Sequence, residues 1–150
     1  MRTVSGVAGM CLVLAGCATS GPLGQDVLAT GVAPKQSRLV IYRTSALGFA
    51  IQPDYVIDGK AVAPSTPEGF VVCNLAPGKH NVSVGNFELN VNFGGGTDKA
   101  GLNLRPGQTA YLKAEPQPGL TMGVVTLSEV TENQGRADTA SLHKLDGACS

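Results

Sequence analysis

Four cysteines, two histidines and one glycine-rich loop carry most of the reactive or ligand-binding potential of this 150-residue chain. A cysteine thiolate is a strong nucleophile, and a neighbouring His is its usual base. Cys73 comes before a turn and His80 just after it, so a hydrolytic Cys/His pair is one reading of that segment. The plainer reading puts Cys73 in the core face of a strand and His80 at the polar start of the next. Serine offers no nucleophile, because no Ser stands between glycines at the spacing of a nucleophile elbow. Gly94-Gly95-Gly96-Thr97-Asp98-Lys99 has the composition of a phosphate cradle but not its pattern, since Ala100 follows Lys99 where Ser or Thr is needed. These six residues read as a hairpin loop and are the candidate binding loop, because exposed loops on rigid sheets are where recognition is usually placed. Two distant Cys, with His80 and His143 at no ligand spacing, match no metal pattern. No carboxylate pair sits in an apolar context that would split its pKa values. The expectation is a protein that is not an enzyme and needs no metal or cofactor.

Charge narrows the partners. Eleven basic residues balance eleven acidic ones, so the chain has no field to gather nucleic acid, and none is expected as a partner. Aromatics make up 5% with no Trp, too few to build stacking platforms for bases or sugars.

The address is clearer. Met1-Arg2-Thr3 precedes a mostly apolar run from Val4 to Ala15, the charged start and short apolar middle of an export signal. The run reaches roughly 13 residues, short of the ~20 that cross a bilayer. It ends in Leu14-Ala15-Gly16-Cys17, which resembles the lipobox of bacterial lipoproteins. The resemblance implies cleavage between Gly16 and Cys17 and lipidation of Cys17, making residues 1–16 a signal peptide and Cys17 a membrane anchor. Ala18, in place of the Asp that retains such proteins at the inner membrane of enteric bacteria, implies the outer membrane, facing the periplasm. The alternative is an ordinary secretory signal in which Cys17 is incidental. With Cys11 removed and Cys17 lipidated, Cys73 and Cys149 remain as candidates for a disulfide, the alternative being a buried free Cys73 and a frayed Cys149. In an oxidising compartment the bridge would close a loop of about 77 residues and add roughly 4 kcal/mol on the chain-entropy model.

The elements that must position these residues read as short strands. Residues 17–36 are rich in Ala, Thr, Gly and Pro and read as a flexible lipidated tether. Arg38 to Arg43 is a β-branched and aromatic strand. Asp58-Gly59 separates two strands as a type I′ hairpin turn. Gly69 to Leu75 is a strand with Val71, Cys73 and Leu75 on one face, and His80 to Val84 returns after Ala76-Pro77-Gly78-Lys79. Phe87 to Phe93 alternates apolar and polar residues, and Gly101 to Leu104, Thr109 to Glu115 and Val124 to Val130 complete the set. About seven or eight such strands, with no segment able to supply crossover helices, predict an all-β antiparallel β-sandwich over residues 37–133. Residues 134–150 form a C-terminal tail, with a short helix expected within 134–145.

Leu39-Val40-Ile41-Tyr42-Arg43, Val56-Ile57-Asp58-Gly59-Lys60, Leu75-Ala76-Pro77-Gly78-Lys79-His80 and Gly107-Gln108-Thr109-Ala110-Tyr111 together resemble small bacterial lipoproteins with an uncharacterised domain. Their kin are the prealbumin-like and PEGA-like sandwiches. The resemblance implies the fold and brings no active site. The expected function is a lipid-anchored, non-enzymatic binding or structural accessory that contacts an envelope protein. The alternative is a carrier of a small apolar ligand held between the sheets.

Overall fold

A computed structural model describes residues 21–85, 98–117, 124–147 and 149. In chain order these form α1 (Gly24–Val27), β1 (Ser37–Arg43), β2 (Asp54–Ile57), β3 (Lys60–Pro64), β4 (Gly69–Leu75), β5 (Gly78–Val84), β6 (Lys99–Leu104), β7 (Thr109–Gln117), β8 (Val124–Val130), α2 (Glu132–Thr139) and β9 (His143–Lys144). One sheet has the order β8-β7-β1-β4-β9 and the other β3-β2-β5-β6. The inner faces meet in a core drawn from both sheets, with Leu39, Ile41, Val71, Cys73 and Leu112 from the first and Tyr55, Ile57, Val82 and Leu102 from the second. The protein is mostly β, with two facing sheets and a short helix. The strand expected over Phe87 to Phe93 lies outside the described residues.

Local chemistry accounts for the turns. Asp58 and Gly59 have φ of 49° and 81°, the two left-handed residues a type I′ hairpin requires, and β2 pairs antiparallel with β3 across them. Ala76-Pro77 leads out of β4 as expected, but the strand that follows does not pair back onto it. β5 pairs with β2 and β6, so this turn is an arch from one sheet to the other.

The purely antiparallel expectation needs correction. β1 runs parallel to β7, with Arg38 opposite Thr109 and Tyr42 opposite Lys113, and β4 runs parallel to β9. A parallel pair needs a long crossover, and here the second sheet supplies it, because β2, β3, β5 and β6 intervene between β1 and β7. Leu-Val-Ile-Tyr in β1 fits this position. All seven of its residues are buried, Leu39 and Ile41 between the sheets and Val40 and Tyr42 on the outer face.

That outer face carries a second apolar cluster of Leu28, Val40, Tyr42, Phe70, Tyr111 and Leu142. Here two more expectations change. Residues 21–28, read as part of a free tether, are docked: Leu23 bridges His143, the Gly24 amide donates to Leu142 O (3.0 Å), and Leu28 is buried. The tail is likewise integral to the fold and lies within the same domain as residues 37–133. Its helix starts earlier than expected, where Thr131 caps it by accepting from the Gln134 amide at 3.3 Å. It ends at Thr139, so Leu142 and Leu145 are buried from the segment beyond it. Gly135 is where the helix touches the sheet, since a Cβ there would collide with the Tyr111 ring. Tyr42 then ties the helix down by donating its hydroxyl to Asp138 Oδ2 at 2.7 Å.

Candidate functional site

Two polar centres and one cysteine pair stand out from the framework. Cys73 is fully buried and Cys149 packs against the same core, so residues 76 apart in sequence come to disulfide distance with Cα atoms 4.9 Å apart.

The first polar centre is the corner between the β2–β3 hairpin and the start of β5. Asp58 Oδ2 lies 2.7 Å from His80 Nδ1, Asp58 Oδ1 accepts from the Asn81 amide at 2.9 Å, and the Asp58 amide donates to Asn81 O at 2.8 Å. His80 Nε2 is 2.7 Å from Ala76 O. Both ring nitrogens therefore face acceptors, an arrangement best satisfied when both are protonated. Burial by itself would lower the His80 pKa, but the hydrogen bonds to Asp58 and Ala76 O outweigh it and raise the pKa. The Asp58 carboxyl is held below its ordinary value by the Asn81 amide first and His80 second. With both nitrogens engaged and Cys73 beside Cys149, His80 and Cys73 have separate partners and form no catalytic pair in this arrangement.

The second centre is Arg43, the last residue of β1. Its side chain is fully buried, and among the described residues every hydrogen bond it makes is to a main-chain carbonyl. Nε donates to Ser45 O (3.2 Å), Nη1 to Ile51 O and Ser65 O (2.9 Å each), and Nη2 to Gly48 O (3.1 Å) and to Leu47 O. Burial pulls its pKa below the usual guanidinium value, with nearby Tyr55 opposing, yet a guanidinium stays charged in proteins. The effect is to wrap residues 44–53 around a fixed cation. Beside it, the buried hydroxyls of Tyr55 and Ser65 find no protein partner among the described residues.

The wrapped loop, Thr44-Ser45-Ala46-Leu47-Gly48-Phe49-Ala50-Ile51-Gln52-Pro53, contains no charged residue. Its crown is apolar and exposed, Leu47 at 61% and Phe49 at 73%. Sequence reasoning passed over it. The available signal was a ten-residue uncharged stretch with three large hydrophobics between two strands, following a strand whose last residue is Arg.

The other expected site residues are scattered. Gly16 and Cys17 lie outside the described residues, as do Gly94, Gly95, Gly96 and Thr97. Asp98 is half-buried and its carbonyl accepts from the Val84 amide, and Lys99 opens β6. Concavities among the described residues include an open groove along β3, lined by Ala61, Ala63, Pro64, Asp146 and Gly147, and a small polar cleft beside Arg38, Gln108 and Arg136.

Comparison with known proteins adds a distant likeness. The chain is 25% identical over 146 residues to an uncharacterised protein of Haemophilus influenzae, covering 91% of this chain and 80% of that protein. No known protein family's profile matches the chain, and no solved structure matches it.

Proposed function

We propose that this chain is an exported, lipid-anchored protein of the bacterial envelope whose sandwich serves as a non-enzymatic binding or structural module. The observation that carries this reading is the meeting of Cys73 and Cys149 from 76 residues apart, with one sulfur in the core. Such a pair persists as a disulfide where thiols are not kept reduced, which favours an extracytoplasmic domain. Leu14-Ala15-Gly16-Cys17 supplies the route, and Ala18 favours the outer membrane. Several acyl chains on Cys17 make detachment very slow, each buried CH₂ adding ~0.8 kcal/mol. The two polar centres, a buried guanidinium held by loop carbonyls and a hydrogen-bonded Asp58–His80 corner, support a role in holding shape and presenting surface, with an envelope protein as the partner.

The test is the intact mass and free-thiol count of the protein recovered from cell membranes. The expected result is a chain beginning at Cys17, heavier by its acyl groups, with no free thiol at Cys73 or Cys149. Recovery of unacylated protein from the soluble fraction, or two reactive thiols, would overturn the proposal.

A further inference from the structure

We infer that the cleft between β7, α2 and the segment after α1 is a binding site for a carboxylate, which Arg38, Arg136 and the hydroxyl of Tyr111 hold. The inference goes beyond the anchor reading and does not depend on it.

The fold brings these groups to one place from three elements. In the parallel pair of β1 and β7, Arg38 is opposite Thr109 and Val40 is opposite Tyr111. Val40 and Tyr111 belong to the outer apolar cluster, and alternation along β1 puts Arg38 on that same face. α2 crosses the face at Gly135, against the Tyr111 ring, and so brings Glu132 and Arg136 to the cleft. Residues 28–32 close the other side of a space of about 180 Å³.

Each group has a donor left over. Arg38 is only 8% exposed, and its guanidinium donates from Nη1 to Thr30 O (2.8 Å), from Nη2 to Gly31 O (3.5 Å) and from Nε to Asn74 Oδ1 (3.4 Å). These acceptors are neutral, and one N–H on each terminal nitrogen remains. Arg136 donates from Nη1 to Glu132 Oε1 (3.3 Å) and from Nη2 to Leu28 O (3.4 Å), which again leaves N–H groups to spare. Tyr111 is 1% exposed, and its hydroxyl finds no hydrogen-bond partner among the described residues. It is not sealed from solvent as the hydroxyls of Tyr55 and Ser65 are. A phenol so placed is short of one acceptor, and a ligand in the cleft would supply it. Burial raises the Tyr111 pKa, which keeps the hydroxyl a donor at neutral pH. The charges that act on it are those of Arg136, Glu132 and Arg38, the three charged residues that line the cleft.

Charge and size select the ligand. Two guanidiniums against one carboxylate leave the lining with one net positive charge, which suits a monoanion. A guanidinium fork matches the two oxygens of a carboxylate. Pockets for drug-sized ligands start at roughly 300 Å³, so this cleft admits a small acid or the last residue of a protein chain.

The probe is N-acetylglycine, titrated by calorimetry into the full-length protein, with uncharged N-acetylglycinamide as the control. The expected result is saturable binding of the acid and binding of the amide at least about 10-fold weaker. Tyr111→Phe removes one oxygen that bonds to nothing in the described protein, so it should leave the thermal midpoint unchanged and weaken binding roughly 10-fold. Glu132→Gln removes the acid from the lining and should tighten binding several-fold, a direction that a purely structural cleft would not give. The site is overturned by an absence of saturable binding in the millimolar range, by equal binding of acid and amide, by a Tyr111→Phe protein that binds as wild type or melts lower, or by a Glu132→Gln protein that binds no tighter. N-acetyl-triglycine then separates the two sources of the carboxylate. Binding at least as tight as that of N-acetylglycine assigns the cleft to a chain terminus, and much weaker binding assigns it to a small free acid.

Discussion

Arg43 and His80 are two basic side chains near the ends of strands in opposite sheets, and they are held in opposite ways. Arg43 is buried and held by neutral carbonyls, so its hydrogen bonds define the path of ten residues around it. His80 is paired with a carboxylate that is 46% exposed, so its contact is partly screened by solvent and fixes only the junction of a hairpin and an arch. A buried cation can organise a loop because losing it would strand several acceptors at once. An exposed pair trims the ends of turns that Asp58-Gly59 and Pro77-Gly78 already specify.

The comparison breaks first at Arg43. Arg43→Met keeps much of the side-chain bulk and removes the donors, and is expected to cost about 3–5 kcal/mol in urea unfolding and to speed amide exchange across 44–53. A loss below about 1 kcal/mol would mean the loop holds its own shape. At the other centre, Asp58→Ala forfeits the bond to the Asn81 amide and places Ala at φ 49°, for an expected loss of about 1–2 kcal/mol. Asp58→Asn should lose less, because Asn tolerates that φ and still accepts from the amide.

Titration sharpens the same contrast. The His80 pKa is raised, so its contribution is fully present below the unfolded value of about 6.5 and is lost as pH rises through the folded value. The Asp58 pKa is lowered, so its contribution is present above the unfolded value of about 3.9 and is lost as pH falls through the folded one. The stability difference between wild type and His80→Gln should therefore be largest between about pH 4 and 6.5 and shrink above it, by less than about 1 kcal/mol in all. A pH-independent difference would show that the imidazole acts by packing alone. Smallest is the crown of the loop: Leu47→Ser/Phe49→Ser should change unfolding free energy by no more than about 0.5 kcal/mol, since both side chains already face water.

Local signals made much of this legible. Asp-Gly between two apolar runs predicts the hairpin that forms, and the bounds of Gly69–Leu75 and Val124–Val130 follow from alternation and turn residues. Counting thiols leaves Cys73 and Cys149 as disulfide candidates, and the fold brings them to disulfide distance. What escaped depends on long-range packing. Nothing local says that β1 lies parallel to β7, because that pairing is decided by the path through the second sheet. The segment 21–28, with one charge and little periodicity, looks like a linker until Phe70 and Tyr42 provide a surface for Leu28. In the sequence Arg43 is simply the last residue of a β-branched and aromatic strand, and only the loop's carbonyls reveal it as the loop's centre.

The seam along β9 has a consequence for the order of folding. Gly21 O meets His143 across 122 residues, and β4 has no partner on that edge until His143 and Lys144 arrive. Leu23 can find its bridge only then, so the five-stranded sheet is finished from its two most distant segments together. Such non-local closure is slow, and in the interval β4 presents a bare strand edge to neighbouring chains. The same seam that completes the fold therefore also covers the start of that edge, at Gly69 and Phe70, against pairing with copies of itself.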